Sequence, residues 1–86
     1  MKKRESFDDL SRDVAAAIRR RRTAAGLTQE DLAHDAGLSV RHVHEVESGR
    51  TNPTLKTLHG VASVFGISVL VLLDEAAHST AQTRKR

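Results

Sequence analysis

A segment in the middle of the chain, residues 40–48, carries side chains that can form hydrogen bonds with the edges of base pairs. We expect a helix here, because Val43 and Val46 mark one apolar side at helical spacing. A polar face of this kind is also typical of an ordinary solvated surface, so composition alone does not decide its role. The side opposite the two valines carries Arg41, Glu45 and Ser48. His44 lies beside them, and Val40 lies at the exposed beginning of the helix.

Each of these side chains has a defined chemistry toward duplex DNA. Arg41 can donate two hydrogen bonds to guanine, Glu45 can accept one from the amino group of cytosine, and Val40 can contact the methyl group of thymine. His44 can reach base edges, and Ser48 can reach base edges or phosphate. Glu45 has a second possible role, because it follows Arg41 by four residues and can form an ion pair with it on the same face.

Two short helices joined by a tight turn are predicted to present this face. The first, residues 29–36, has Thr28 as its N-cap and ends at Gly37, which can adopt the left-handed conformation. The second, residues 40–48, has Ser39 as its N-cap and is ended by a further glycine. This layout is what is needed to place one helix in a groove of DNA.

Longer helical segments precede and follow this pair. An apolar stripe with a period near 3.6 predicts a first helix over about residues 8–25. Thr54 can cap a fourth helix, which keeps one face apolar until Gly66, and a fifth apolar segment opens at Ser68. The expected division is one folded domain with a basic tail at each end: residues 10–75, 1–9 and 76–86.

The start of the fifth segment, residues 69–73, is apolar on every side. A helix there cannot bury all of these side chains against its own domain. Our preferred interpretation is a twofold dimer contact that includes Val69, Val71 and Leu72. The alternative is a short strand or core helix that is buried within the monomer, and the sequence leaves this choice open.

Charge and composition favour duplex nucleic acid as the partner. The 86 residues include 14 Lys and Arg against 11 Asp and Glu, and the basic residues are concentrated at the two ends and in a run at residues 19–22. Phe7 and Phe65 are the only aromatic residues, which makes a base-stacking platform for single strands improbable.

Other classes of protein are disfavoured. The sequence has no cysteine, no glycine-rich phosphate loop and no nucleophile motif, so we expect neither an enzyme nor a cofactor. His42 and His44 are two residues apart and would point about 200 degrees apart on a helix, so no metal site is expected. No apolar stretch approaches a membrane span and no signal peptide is recognisable, so a cytoplasmic protein without membrane contact is expected.

From about Val14 to Leu73 the chain resembles the phage repressor and Cro type of helix-turn-helix domain. That resemblance implies an all-α fold, a compact five-helix bundle of the lambda-repressor-like type in which residues 40–48 form the recognition helix. It also implies a dimeric transcription regulator. The matching motifs are GLTQEDLA at residues 26–33, AGLS at 36–39, VESG at 46–49 and NPTL at 52–55.

The resemblance also implies roles for individual residues. Gln29, at the start of the preceding helix, corresponds to a residue that contacts a phosphate. Arg22 and Glu47 occupy the positions of a partly buried structural ion pair. Two departures from the family pattern weaken the expected contacts, namely Glu45 on the groove face and Ser48 before the glycine. The residues expected to contact the DNA backbone are Gln29, Ser39, Ser48 and Arg50.

The sequence therefore predicts a sequence-specific regulator of transcription that binds double-stranded DNA, as a homodimer on a palindromic operator. Two alternatives stay open. One is an antitoxin or another interaction module, in which residues 69–73 bind a toxin or other protein partner and DNA binding autoregulates the pair. The other is the controller protein of a restriction-modification system.

Overall fold

The computed structural model describes the backbone of residues 6–84 and the side chains of residues 6–78. Every regular element in this part of the chain is a helix, which confirms the all-α prediction and the expected count of five. The helices are α1 (Phe7–Ala24), α2 (Gln29–Ala36), α3 (Val40–Ser48), α4 (Leu55–Val64) and α5 (Val69–Arg84).

Serine and threonine hydroxyls fix where the helices begin. The hydroxyl of Thr28 accepts a hydrogen bond of 3.0 Å from the Asp31 amide, and the Asp31 carboxylate accepts one of 2.9 Å from the Thr28 amide. This reciprocal capping box satisfies two amides that the helix itself leaves unpaired. Single hydroxyl caps of the same kind precede the other helices, at Ser6, Ser39, Thr54 and Ser68.

Glycine is required at the end of α3 for two reasons. Gly49 has a φ of 74°, in the left-handed region that other residues rarely adopt. In addition, a Cβ atom at this position would lie 3.1 Å from the Cα of Arg12 on α1. The close approach brings the end of α3 against α1, so Gly49 both ends the helix and allows it to pack.

All five helices contribute side chains to the hydrophobic core, and α3 contributes its inner side to it. Val43 is fully buried and Val46 nearly so, as the spacing of the two valines predicts. Packing of this face leaves the opposite side of α3 in solvent. The largest side chains with essentially no exposed surface are Ile18, Leu32, Val43, Val61 and Leu72.

Burial of Leu72 corrects one part of the predicted dimer interface. Leu72 is 0% exposed within the single chain, so it has no surface left with which to contact a second copy. Val69 is partly buried against the core, whereas Val71 remains 45% exposed and Leu70 is 77% exposed. The apolar run is therefore divided between the core and the surface, and neither of the two sequence interpretations describes all of it.

The predicted domain boundaries also need correction. Helix α1 begins at Phe7, within the predicted tail of residues 1–9, because Ser6 caps it. Helix α5 continues to Arg84, although a tail was expected from residue 76, because no glycine or proline follows Gly66. Ala76 is buried in the core. The basic residues Lys2 to Arg4, Lys85 and Arg86 lie outside the described residues.

Within the described part of the chain, no single helix has both the length and the apolar character to cross a membrane. Helix α4 and Val69–His78 of α5 are long and apolar enough when they are taken together, but the two segments meet at an angle of 87°.

Candidate nucleic-acid interface

The outer side of α3 exposes most of the predicted base-contacting residues. Arg41, His44 and Glu45 are exposed, while Val40 is half-buried because part of its side chain packs against the core. Nε of Arg41 lies 3.5 Å from Oε2 of Glu45, so these two side chains form an ion pair along the helix surface. The second role considered for Glu45 is thus realised in the isolated chain.

Ser39 and Ser48, both expected to contact the DNA backbone, form hydrogen bonds at the two ends of α3 in the isolated chain. Ser39 caps α3 by accepting a hydrogen bond of 3.0 Å from the His42 amide. The hydroxyl of Ser48 donates to the Glu45 carbonyl oxygen at 2.6 Å and accepts from the Arg50 amide at 3.2 Å. Ser48 therefore fixes the turn that carries Arg50, whose side chain is exposed beside the end of the helix.

The pair expected from Arg22 and Glu47 is present and has two hydrogen bonds. Nε of Arg22 donates to Oε2 of Glu47 at 2.7 Å, and Nη2 donates to Oε1 at 3.1 Å. Arg22 also donates to the Leu27 carbonyl oxygen at 2.9 Å. Glu47 is only 3% exposed, and these contacts fasten α3 to α1. A buried carboxylate without a positive partner would strongly destabilise the fold, so Glu47 needs Arg22 in order to be buried.

Gln29 joins the same network, which the sequence reasoning did not anticipate. Its Nε2 donates a hydrogen bond of 3.0 Å to Oε1 of Glu47. The primary amide has two N–H groups, and this bond uses one of them. The side chain at the start of α2 is therefore held in a fixed orientation by the residue that anchors α3.

Arg19 is a second residue that the sequence reasoning missed. Its Nη1 donates to the main-chain oxygen of Glu47, so α1 contacts the C-terminal end of α3 at this point as well. A signal for it existed, because Arg19 precedes Arg22 by three residues and so shares its side of α1. The other arginine of the run with a carboxylate partner, Arg21, faces α5 and pairs with Glu75 there.

The Arg21–Glu75 pair perturbs both groups. Hydrogen bonds from Arg21 lower the pKa of the Glu75 carboxyl below its ordinary value, and the same bonds raise the pKa of Arg21. The pKa of Asp31 is also lowered, because its carboxylate accepts from the backbone amide of Thr28 in the capping box. These carboxylates therefore stay ionised to a lower pH than unpaired ones.

The structure has the features of a DNA-binding helix-turn-helix domain. Two short capped helices meet at a glycine turn, and the second helix is anchored on its inner side and polar on its outer side. Sequence comparison gives the same result. The model of the helix-turn-helix family matches residues 18–72, more than half of the chain, and the chain belongs to that family.

Named relatives of the chain are regulators. It is 44% identical over 57 residues to the HTH-type transcriptional regulator DdrOP3 of Deinococcus deserti, a match that covers 66% of this chain and 44% of that protein. The chain thus spans less than half the length of that relative.

Solved structures agree in fold. The clp gene regulator ClgR from Corynebacterium glutamicum superposes with a TM-score of 0.79 at 34% identity, covering 86% of this chain and 79% of that one. The restriction-modification controller protein C.Esp1396I superposes with a TM-score of 0.78 at 28% identity, covering 91% and 99%. The architecture is that of this group of regulators.

Proposed function

We propose that this chain binds double-stranded DNA sequence-specifically as a homodimer and thereby regulates transcription. The observation that carries the proposal is the division of α3 into two sides. Its inner side is buried in the core at Val43 and Val46, and its C-terminal end is joined to α1 through Glu47. Its outer side presents Arg41, 88% exposed, to solvent.

The residues of α3 take different roles in this proposal. Arg41 donates two hydrogen bonds to a guanine, after its exposed pair with Glu45 has opened or shifted. Glu45 then accepts from a neighbouring cytosine, and His44 and the exposed part of Val40 contact adjacent bases. Phosphate contacts by Gln29, Arg50 and the helix-end serines set the register of the domain on the duplex.

The remaining predicted contact, the dimer interface, rests on exposed apolar side chains. Exposed apolar surface of this kind often marks an association surface. A groove of about 220 Å³ is lined in part by Phe7, Leu10 and Leu55, which are exposed, and by Leu73. Two copies related by a twofold axis would place their α3 helices in successive major grooves, about 34 Å apart. The most exposed large apolar residues are Phe7, Leu10, Leu55, Leu70 and Val71.

Selection of bound fragments from random duplex DNA, at near-physiological salt, tests the proposal. An enriched inverted repeat is the expected result, and it would also supply the operator. Arg41→Lys keeps the charge but loses the planar fork, so it should relax the preference at one base pair while binding to unrelated DNA is retained. Absence of any enriched motif would overturn sequence-specific recognition.

A restriction-modification controller is the second candidate. The observation that favours it is the match to C.Esp1396I, which extends over 99% of that protein. Footprinting of the selected operator on the chain's own genomic DNA separates the two candidates. A site in front of restriction and modification genes supports the controller, and a site elsewhere contradicts it. The antitoxin alternative stays a prediction, with co-purification of a bound partner as its test.

A further inference from the structure

A shallow pocket, lined by polar and charged residues, lies between α1, α2 and α3. Its volume is about 340 Å³. It reaches the outer side of α3 at His44, so it is accessible from the face that the proposed function assigns to DNA. The pocket is shallow and open to solvent, so a backbone phosphate of a duplex can approach its lining residues directly. The lining residues are Arg19, Arg22, Gln29, His44, Glu47 and Ser48.

The charge balance of the pocket leaves one cation in excess. Glu47 and Arg22 neutralise each other through two hydrogen bonds. Arg19 forms no ion pair with any carboxylate in the described part of the chain. One of its five N–H donors goes to the Glu47 carbonyl oxygen, which leaves the others available to a ligand.

We propose that this pocket binds one phosphate of the DNA backbone and that Arg19 is its main charged ligand, an inference that rests on the proposed function. A guanidinium group matches two phosphate oxygens with parallel N–H donors. Gln29 supplies a further neutral donor, the N–H of its amide that Glu47 does not use. The positive side chain and the amide thus approach the phosphate from α1 and α2 respectively.

Glu47 is a positioning residue for this site. Its carboxylate holds Gln29, and its main-chain oxygen holds Arg19. Both proposed phosphate ligands are therefore attached to the C-terminal end of the helix that reads bases. A phosphate bound by them fixes the depth and rotation of α3 in the groove, which connects backbone binding to base contact.

The dependence of affinity on salt tests the site. Each neutralised phosphate contributes about 0.9 to the slope of log affinity against log salt concentration. Arg19→Ala removes one such contact in each subunit, so the slope for the proposed homodimer should become shallower by about 1.8. Affinity should fall by about tenfold for each subunit that makes the contact, on the selected operator and on unrelated duplex alike, since a phosphate contact carries no base preference.

Arg20→Ala is the matched control. Arg20 is the next residue on the same helix, is also exposed, and lies where its charge acts on Glu75 of α5 rather than in the pocket. Both variants remove one positive charge. Arg20→Ala should change the slope by much less than Arg19→Ala, and equal changes would show a long-range charge effect and overturn the proposal.

A purely structural role for Arg19 can be distinguished from phosphate binding by the effect of its substitution on folding. Arg19→Gln keeps a donor for the Glu47 carbonyl oxygen but removes the charge, so it should reproduce the shallower slope with little change in the melting temperature. A lower melting temperature with an unchanged slope in both Arg19 variants would mean that Arg19 only caps α3, and would overturn the phosphate site. If the unmodified protein binds no duplex, the proposed function fails and this site with it; if it binds while the Arg19 variants keep its slope, only this site fails.

Discussion

Replacing Glu47 with glutamine removes the negative charge from the most buried polar group on α3 while keeping the size of the side chain. The glutamine carbonyl can still accept one hydrogen bond from Arg22. Its NH₂ group, however, takes the place of the other carboxylate oxygen, so in either orientation of the amide at least one N–H donor of Arg22 loses its acceptor. Arg22 also keeps its charge although its side chain is only 15% exposed.

The expected loss of stability follows from this burial. Removing one partner of a buried ion pair costs about 3–5 kcal/mol, and the remaining bond from Arg22 to the Leu27 carbonyl places Glu47→Gln at the lower end. For a domain of this size, a loss of about 3 kcal/mol lowers the melting temperature by about 15 °C.

Urea unfolding, followed by circular dichroism at one fixed protein concentration, measures this loss. Glu75→Gln is the matched control, because Arg21 and Glu75 form an equivalent two-bond pair in which each side chain is about one third exposed. Solvent screens the charges of an exposed pair, so Glu75→Gln should lower the free energy of unfolding much less than Glu47→Gln does. Equal losses for the two variants would refute the argument that burial sets the contribution of the Arg22–Glu47 pair.

Three further predictions concern α5 and acidic pH. Leu72→Ala should destabilise the monomer by about 3 kcal/mol, because it leaves a cavity at a fully buried position, and a urea midpoint equal to that of the unmodified protein would contradict the core assignment. Leu70→Glu should instead halve the mass measured by sedimentation while leaving the fold intact, and an unchanged mass would place the dimer interface elsewhere. Since the folded pKa of Glu75 is lowered from 4.5, its stabilising effect should be complete above that pH and be lost as the pH falls through the lower folded value. Glu75→Gln should therefore flatten the acid limb of the stability profile, and an unaltered limb would contradict this contribution.

Local signals in the sequence were sufficient to predict the bounds of α2 and α3. Each helix has a hydroxyl cap before it and a glycine after it, and these contacts are formed within a few residues. No such signal follows Gly66, so the sequence alone does not locate the end of α5. The burial of Ala76 is decided by contacts with other helices.

Burial within an all-apolar segment could not be predicted from the segment itself. Leu70 and Leu72 are chemically identical, and only the position of α5 against the other helices makes one exposed and the other buried. The link between Gln29 and Glu47 was missed for a related reason. These residues are on different helices, and the distance between their side chains depends on how α2 packs against α3.

The two carboxylates on α3 differ in how much freedom they give to their arginine partners. The pair of Arg41 and Glu45 is exposed, and such pairs contribute between 0 and about 1 kcal/mol, so Arg41 can exchange its partner for a base at little cost. Glu47, in contrast, is buried and accepts hydrogen bonds from three side chains on α1 and α2, those of Arg19, Arg22 and Gln29. Because the C-terminal end of α3 is fixed to α1, reorganisation in the proposed DNA complex should be confined to the outer side chains. Under that proposal, base preference can change through residues such as Arg41 and Glu45 without disturbing the position of α3 in the domain.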